Sequence, residues 1–236
     1  MPHPDFDLSR IACPITTVDV VIFTVLADRL QVLLVKRPDR RHEPFPHCWA
    51  LPGGFVDVEK DVDLASCARR KLQQKTGVQS PYLEQVGSWG GGLRDPRGWS
   101  ATHVYFALIA APEALRQDTH AAWFALENQQ VGVALAFDHA ELLAAAVQRL
   151  RNKVEYTSLP AFLLPEEFTL SDLQRRYEIV LERSLEKSAF RTRVLAADLL
   201  EPVEKVRTGA NRPAQLYRLT HPGEIVYFPR TLSPRK

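Results

Sequence analysis

Residues 51–78 read LPGGFVDVEKDVDLASCARRKLQQKTGV, and this stretch restricts the fold more than any other part of the chain. A pair of glycines lets a backbone approach a bound group closely, and here the pair leads into a helix in the manner of a phosphate-site loop. Asp61 or Asp63 is placed to cap that helix, Ala65, Ala68 and Leu72 fall at helical spacing, and Gly77 is placed to end it. Lys71, Gln74 and Lys75 occupy positions i, i+3 and i+4 of the helix and so share one face. Hard divalent cations take oxygen ligands, whereas an ammonium group offers only donors. That face repels a metal ion and attracts a diphosphate.

Strands surround the stretch. TTVDVVIFTVL and QVLLVKR, joined by ADRL, read as a β-hairpin, with a short strand at CWALPGG. Further strands are expected at YLEQVGSWG and ATHVYFALIAA, separated by the loop GLRDPRGWS. AFDHAELLAAAVQRLRNK then predicts a helix with Asp138 as N-cap and Glu141 as its capping-box partner. Leu142, Leu143, Ala146, Val147 and Leu150 lie along one face of it. This helix closes a first domain, residues 1–155, and leads into a second, residues 156–236.

In the second domain Thr169 can cap a helix running to Leu181, with Leu173, Tyr177 and Val180 as its apolar stripe. The link ERS precedes a second helix, LEKSAFRTRVLAADLL, on which Phe190, Val194 and Leu195 form the inward side. EPVEKVRTGANRPAQLYRL follows as a hairpin. Helix, short link, basic helix and basic hairpin make the outline of a winged helix-turn-helix. The charge balance agrees: residues 1–150 hold 15 Lys+Arg against 17 Asp+Glu, residues 151–236 hold 15 against 11, and from Lys187 onward the count is 10 against 4. The second domain is thus the one suited to a polyanion.

Other classes of function receive no support. Cys13, Cys48 and Cys67 form no Cys-x-x-Cys pair, and His42, His47, His103 and His120 share no metal-ligand spacing. No Ser-His-Asp or Cys-His set can be assembled, so neither catalytic nor metal-binding residues are assigned. The opening MPHPDFDLSR has no basic segment followed by an apolar core, and VDVVIFTVL is far shorter than the ~20 residues a membrane helix needs. The expectation is a cytoplasmic protein that does not contact membranes.

GGFVDVEKDVDLASCARRKLQQKTGV, introduced by WALP, resembles the Nudix box, with Gly54, Arg70, Leu72, Gly77 and Val78 on the pattern. The three glutamates that close that box fall here on Lys71, Gln74 and Lys75, and its first glutamate aligns with Lys60, Asp61 or Val62. With AFDHAELL, RDPRGW, THVYFAL, LLPEEFTLSDLQRRYEIVL, FRTRVL and RPAQLYRL, the chain resembles the Nudix-related transcriptional regulators of bacterial NAD metabolism, the NrtR family, over roughly residues 15–220. The resemblance implies an α/β fold, in which a Nudix-like mixed-sheet α/β/α sandwich precedes a winged helix-turn-helix. It also implies a homodimeric repressor that needs no cofactor, binds an operator in double-stranded DNA, and leaves it on binding ADP-ribose or a related nucleotide. The alternative is a magnesium-dependent Nudix hydrolase of ADP-ribose or a related dinucleotide, using Asp57, Glu59 and Asp61.

On that resemblance the effector lies between the sheet and the box helix. Arg37 is placed to contact phosphate, Gly53 and Gly54 to admit the ligand, and Lys71 and Lys75 to neutralise its diphosphate. Asp95, Arg97 and Trp99 sit on the RDPRGW loop. Trp49 or Trp99 is a candidate to stack on adenine, and Phe55 adjoins the glycines. Core packing is the other reading of Trp49 and Phe55, and for Trp49 it weighs equally with the ligand role. For DNA the candidates are Lys187, Ser188, Arg191, Thr192 and Arg193 on the second helix and Arg207 and Arg212 in the wing.

Overall fold

The computed structural model describes residues 12–77, 80, 82–110, 120–208 and 213–229. The first domain runs β1 (Ile15–Leu26), β2 (Arg29–Lys36), β3 (Trp49–Ala50), β4 (Gly53–Phe55), α1 (Leu64–Thr76), β5 (Leu83–Gly91), β6 (Ser100–Leu108), β7 (Ala121–Ala125) and α2 (His139–Val154). β1 pairs antiparallel with β2 and β4 and parallel with β6, so the sheet is mixed. β5 extends it beyond β6, while β3 and β7 both pair with β2.

β1 explains why the sheet is covered twice. Its residues from Val18 to Val25 are all buried, and successive side chains of a strand point to opposite faces. Val21, Phe23 and Val25 join a core with Leu142, Leu143, Val147 and Leu150 of α2. Val18, Val20 and Ile22 join a second core with Cys67, Ala68 and Leu72 of α1. Each fully buried leucine of α2 contributes ~1.5–3 kcal/mol, which fixes that helix on the sheet.

Asp63, not Asp61, caps α1: it accepts from Ser66 N–H, and Ser66 Oγ accepts from Asp63 N–H, a reciprocal capping box. Gly77 ends α1 with φ 71°, a left-handed conformation suited to glycine. The capping box expected for α2 is absent. Asp138 occupies the N-cap position, but its carboxylate is taken by Arg94 in a two-pronged ion pair at 2.8 Å, and Glu141 accepts from Trp89 Nε1 instead. Tertiary partners displace the local ones. β7, whose half-buried AAWFA lacks a distinct alternation, is an additional strand on β2.

The second domain begins with a 3-10 turn, Leu159–Leu163, followed by β8 (Phe168–Thr169), α3 (Leu170–Leu181), α4 (Lys187–Leu195), β9 (Leu200–Arg207) and β10 (Ala214–Leu219). Thr169 caps α3 in a box with Asp172, and Glu186 caps α4 by accepting from Ser188 and Ala189 N–H. α4 is shorter than the sequence pattern suggests, and Leu195 at its end is 50% exposed, not part of the inward side formed by Phe190 and Val194. β8, β10 and β9 form a small antiparallel sheet.

The α2 core continues without a break into this second domain through Leu159, Phe162, Phe168, Leu173, Tyr177 and Phe190. Tyr82 of the first domain stacks on Phe162, with centroids 5.9 Å apart. Tyr177 OH donates to Thr157 O at 2.7 Å across the junction. Among the described residues no helix is long and apolar enough to cross a membrane.

Candidate functional site

A cleft of about 440 Å³ opens between the end of β2, β4, the last turns of α1, the loop after β5 and the start of α2. It brings together Arg37, Gly53, Gly54, Phe55, Lys75, Asp95 and Arg97 of the sequence candidates. Trp49, Lys71 and Trp99 do not line it. Trp49 packs edge-on against Phe124, 4.8 Å between centroids, as part of the larger core. Trp99 lies against Gly90 of β5 and Gly92 just beyond it, and is half exposed. Lys71 sits just behind the lining, with its ammonium against Gly54.

The cleft floor is polar and buried. Leu51 N–H donates to His139 Nδ1 at 2.9 Å, so the neutral ring carries its proton on Nε2, which faces Asp19 Oδ1 at 3.8 Å. Thr102 Oγ1 donates to the other Asp19 oxygen at 2.7 Å. Burial lowers the His139 pKa and keeps the ring neutral. Gly53 is required here, because a Cβ on it would lie 2.0 Å from Asp19 Oδ1 and 2.6 Å from Val18 O. Asp19, Arg94, Phe137 and His139 are lining residues that sequence reasoning missed. The quoted segments AFDHAELL and RDPRGW contain three of them, whereas Asp19 looks like an interruption of an apolar strand.

Three of the cleft arginines already have anionic partners, while Arg40, which also lines it, is exposed. Arg37 pairs with Glu43 at 2.7 Å and lies over Phe137, 4.8 Å from its centroid. Arg94 pairs with Asp138, and Arg97 with Asp95 at 2.8 Å while lying over Phe55. Burial alone would raise the Asp95 pKa, but the Arg97 guanidinium and backbone outweigh it and hold the carboxyl below its usual range.

Asp57 and Asp61 beside the glycine loop are likewise engaged, while Glu59 is exposed. Asp61 receives two bonds from Arg70, which hold its pKa well below the ordinary carboxylate range, and accepts from Asp57 N–H. Asp57 pairs with Lys60, which lowers its pKa. Among the described residues no group of three or more His, Cys, Asp or Glu is arranged to hold a metal ion. Lys71, Gln74 and Lys75 offer no anionic ligand on the adjoining helix face. The donor set does not fit a divalent cation.

On the second domain, Lys187, Ser188 and Thr192 are exposed along one face of α4, the geometry in which a recognition helix presents side chains to a major groove. Arg191 is half-buried, and its Nε has no hydrogen-bond partner among the described residues. Arg193 is turned back instead: it donates to Glu155 O at 3.1 Å and lies over Phe228, 4.8 Å from the centroid. Arg207 pairs with Asp172 at the start of α3. Arg212 falls outside the described residues.

Residues 16–150 match the family model described as NUDIX domain, and residues 160–219 match that described as NrtR DNA-binding winged helix domain. Over 222 residues the chain is 48% identical to the ADPR responsive transcriptional repressor NtrR of Acinetobacter baylyi, covering 93% of this chain and 87% of that protein. The chain belongs to the NrtR family. A crystal structure of Shewanella oneidensis NrtR complexed with a 27mer DNA is similar, with TM-score 0.80 and 41% identity over 87% of this chain and 93% of that one. The NUDIX domain of the same NrtR complexed with ADP ribose aligns with TM-score 0.55 and 38% identity, over 62% of this chain and 94% of that domain. The family thus joins a Nudix domain of mixed sheet and helices to a winged helix, the order found here.

Proposed function

We propose that this chain is an ADP-ribose-responsive transcriptional repressor. Its winged domain binds an operator in double-stranded DNA, as a homodimer controlling genes of NAD metabolism, and ADP-ribose in the Nudix cleft releases it. The observation that carries this reading is the likeness, across both domains, to a repressor that responds to ADP-ribose. The relatives solved with DNA and with ADP-ribose support the assignment of one partner to each domain. The engaged carboxylates and the lysines of α1 support binding without hydrolysis.

α2 supplies the route between the sites. Its first residue, His139, lines the cleft, and Asp138 before it is held by the lining residue Arg94. Its last turns are tied to the winged domain: Arg151 donates to Val180 O at 3.0 Å, and Arg193 of α4 bonds Glu155, the residue that ends the helix. An effector that moves Arg94 or His139 acts on one end of a helix whose other end holds α3 and α4.

The test is DNA binding by the full chain to its own upstream sequence, with and without ADP-ribose, at fixed salt because phosphate contacts make affinity strongly salt-dependent. The expected effect is an affinity loss of ~5–150-fold, the usual range of coupling between sites. The same samples are assayed for ADP-ribose cleavage with magnesium. Equal DNA affinity with and without nucleotide overturns the sensor reading, and rapid cleavage without DNA binding favours the hydrolase.

A further inference from the structure

Two cations beside the cleft stand apart from all the paired arginines. Lys71 and Lys75 lie one turn apart on the same face of α1, both half-buried, and neither forms an ion pair among the described residues. Lys75 lines the cleft with Gln74, and the Lys71 ammonium abuts Gly54 so closely that a Cβ there would lie 2.9 Å from Nζ. Gly54 has φ 142°, which a residue with a side chain rarely adopts, so the loop leaves the ammonium uncovered towards the glycine backbone.

Like charges one turn apart on a helix repel, and burial together with the Arg70 charge lowers the Lys71 pKa. The neighbouring anions relieve this only in part: Asp61 favours the charged lysine but is itself held by Arg70, and Asp57 is held by Lys60. Lys75 on the cleft wall, with Lys71 just behind it, therefore places positive charge that has no ion-pair partner among the described residues where the Nudix resemblance leads one to expect glutamates.

We infer that Lys71 and Lys75 themselves neutralise the effector's diphosphate in place of a divalent cation, so that this chain binds ADP-ribose without metal. The inference rests on the proposed function, since it specifies how that same cleft holds its effector. Two ammonium groups supply the charge a divalent ion would bring, and their N–H bonds to phosphate oxygens are charge-assisted.

The test is calorimetric titration of the full chain with ADP-ribose in EDTA and, separately, in magnesium. Kd is expected to agree within about twofold between the two buffers, because no ligand set for the ion is present. Each of Lys71→Met and Lys75→Met is expected to weaken binding by ~10-fold or more, the value of a hydrogen bond to a charged group. The Lys71→Arg, Lys75→Arg double variant keeps both charges and is expected to retain most of the affinity, which separates loss of charge from loss of fold. Binding that requires magnesium overturns the inference while leaving the ADP-ribose reading intact. Undiminished binding by both methionine variants overturns it as well. Absence of wild-type binding in either buffer overturns the ADP-ribose reading and this inference with it.

Discussion

Substituting Arg193 by methionine distinguishes a residue that touches DNA from one that positions the helix which does. Among the described residues its guanidinium makes one hydrogen bond, to Glu155 O at 3.1 Å, and one cation–π contact, to Phe228 at 4.8 Å. At an exposed site the bond contributes ~0.5–1.5 kcal/mol and the ring contact ~0.5–1 kcal/mol. The two together give about 1–2.5 kcal/mol, and a chain of this size loses ~2–4 °C in Tm per kcal/mol. DNA affinity is expected to fall as α4 loosens from α2. The slope of log K against log salt is expected to stay at the wild-type value, because no phosphate contact is lost. Lys187→Met serves as the contrast, with the slope falling by ~0.9 for one phosphate contact removed. Fluorescence anisotropy titrations at four salt concentrations, with thermal melts of the same samples, supply both readings. An Arg193→Met slope reduced by about 0.9 with an unchanged Tm would refute the reasoning.

Three further outcomes are expected. His139 is neutral when folded because burial depresses its pKa below the ordinary 6.5, so the unfolded chain binds the extra proton. The stability this contributes is present above the unfolded pKa and is lost as pH falls below it, and denaturation curves of His139→Gln should show a flatter decline between about pH 6.5 and 5. Lys153 and Glu84 form a nearly buried ion pair, to which Arg149 adds a second bridge. Removing either partner alone should cost ~3–5 kcal/mol, and Glu84→Leu with Lys153→Met well below the sum, in urea unfolding; strict additivity would contradict the pairing. Gly53→Ala, which forces a Cβ onto Asp19 and Val18 O, should lose ~1–3 kcal/mol, whereas Gly91→Ala, with open space around it, should stay within ~0.5 kcal/mol in the same assay.

Features set by neighbours in sequence were legible. Asp63 with Ser66 and Thr169 with Asp172 cap their helices because each pair lies three residues apart, and the two apolar runs of β1 and β2 joined by a short polar turn form a hairpin. Asp138 and Glu141 display the same local signature, yet Arg94 and Trp89, some fifty residues earlier in the chain, claim their carboxylates. The site shows the same division. RDPRGW and the glycine loop stood out as short segments, but Asp19 becomes part of the cleft floor only when β1, β6 and α2 assemble around it. Trp49 gave no sign of which of two uses it served, and Phe124 on β7, a strand without a distinct pattern, decided it. The basic character of α4 was plain from its letters. That Arg193 belongs to the domain junction depends on Glu155 and Phe228, which sequence spacing does not bring near it.

Thr169 uses one residue for two purposes: its hydroxyl starts α3, and its backbone pairs with Leu216 of β10. The ion pairs Arg207–Asp172 and Lys205–Glu167 tie the hairpin to the same corner. Helix and wing therefore meet a duplex as a stamp of fixed shape, unable to adjust one angle without the other. The accommodation falls to the nucleic acid. Base pairs lying between the groove that receives α4 and the backbone under the wing must bend or twist to suit the protein, and their stiffness enters the binding energy although no side chain touches them.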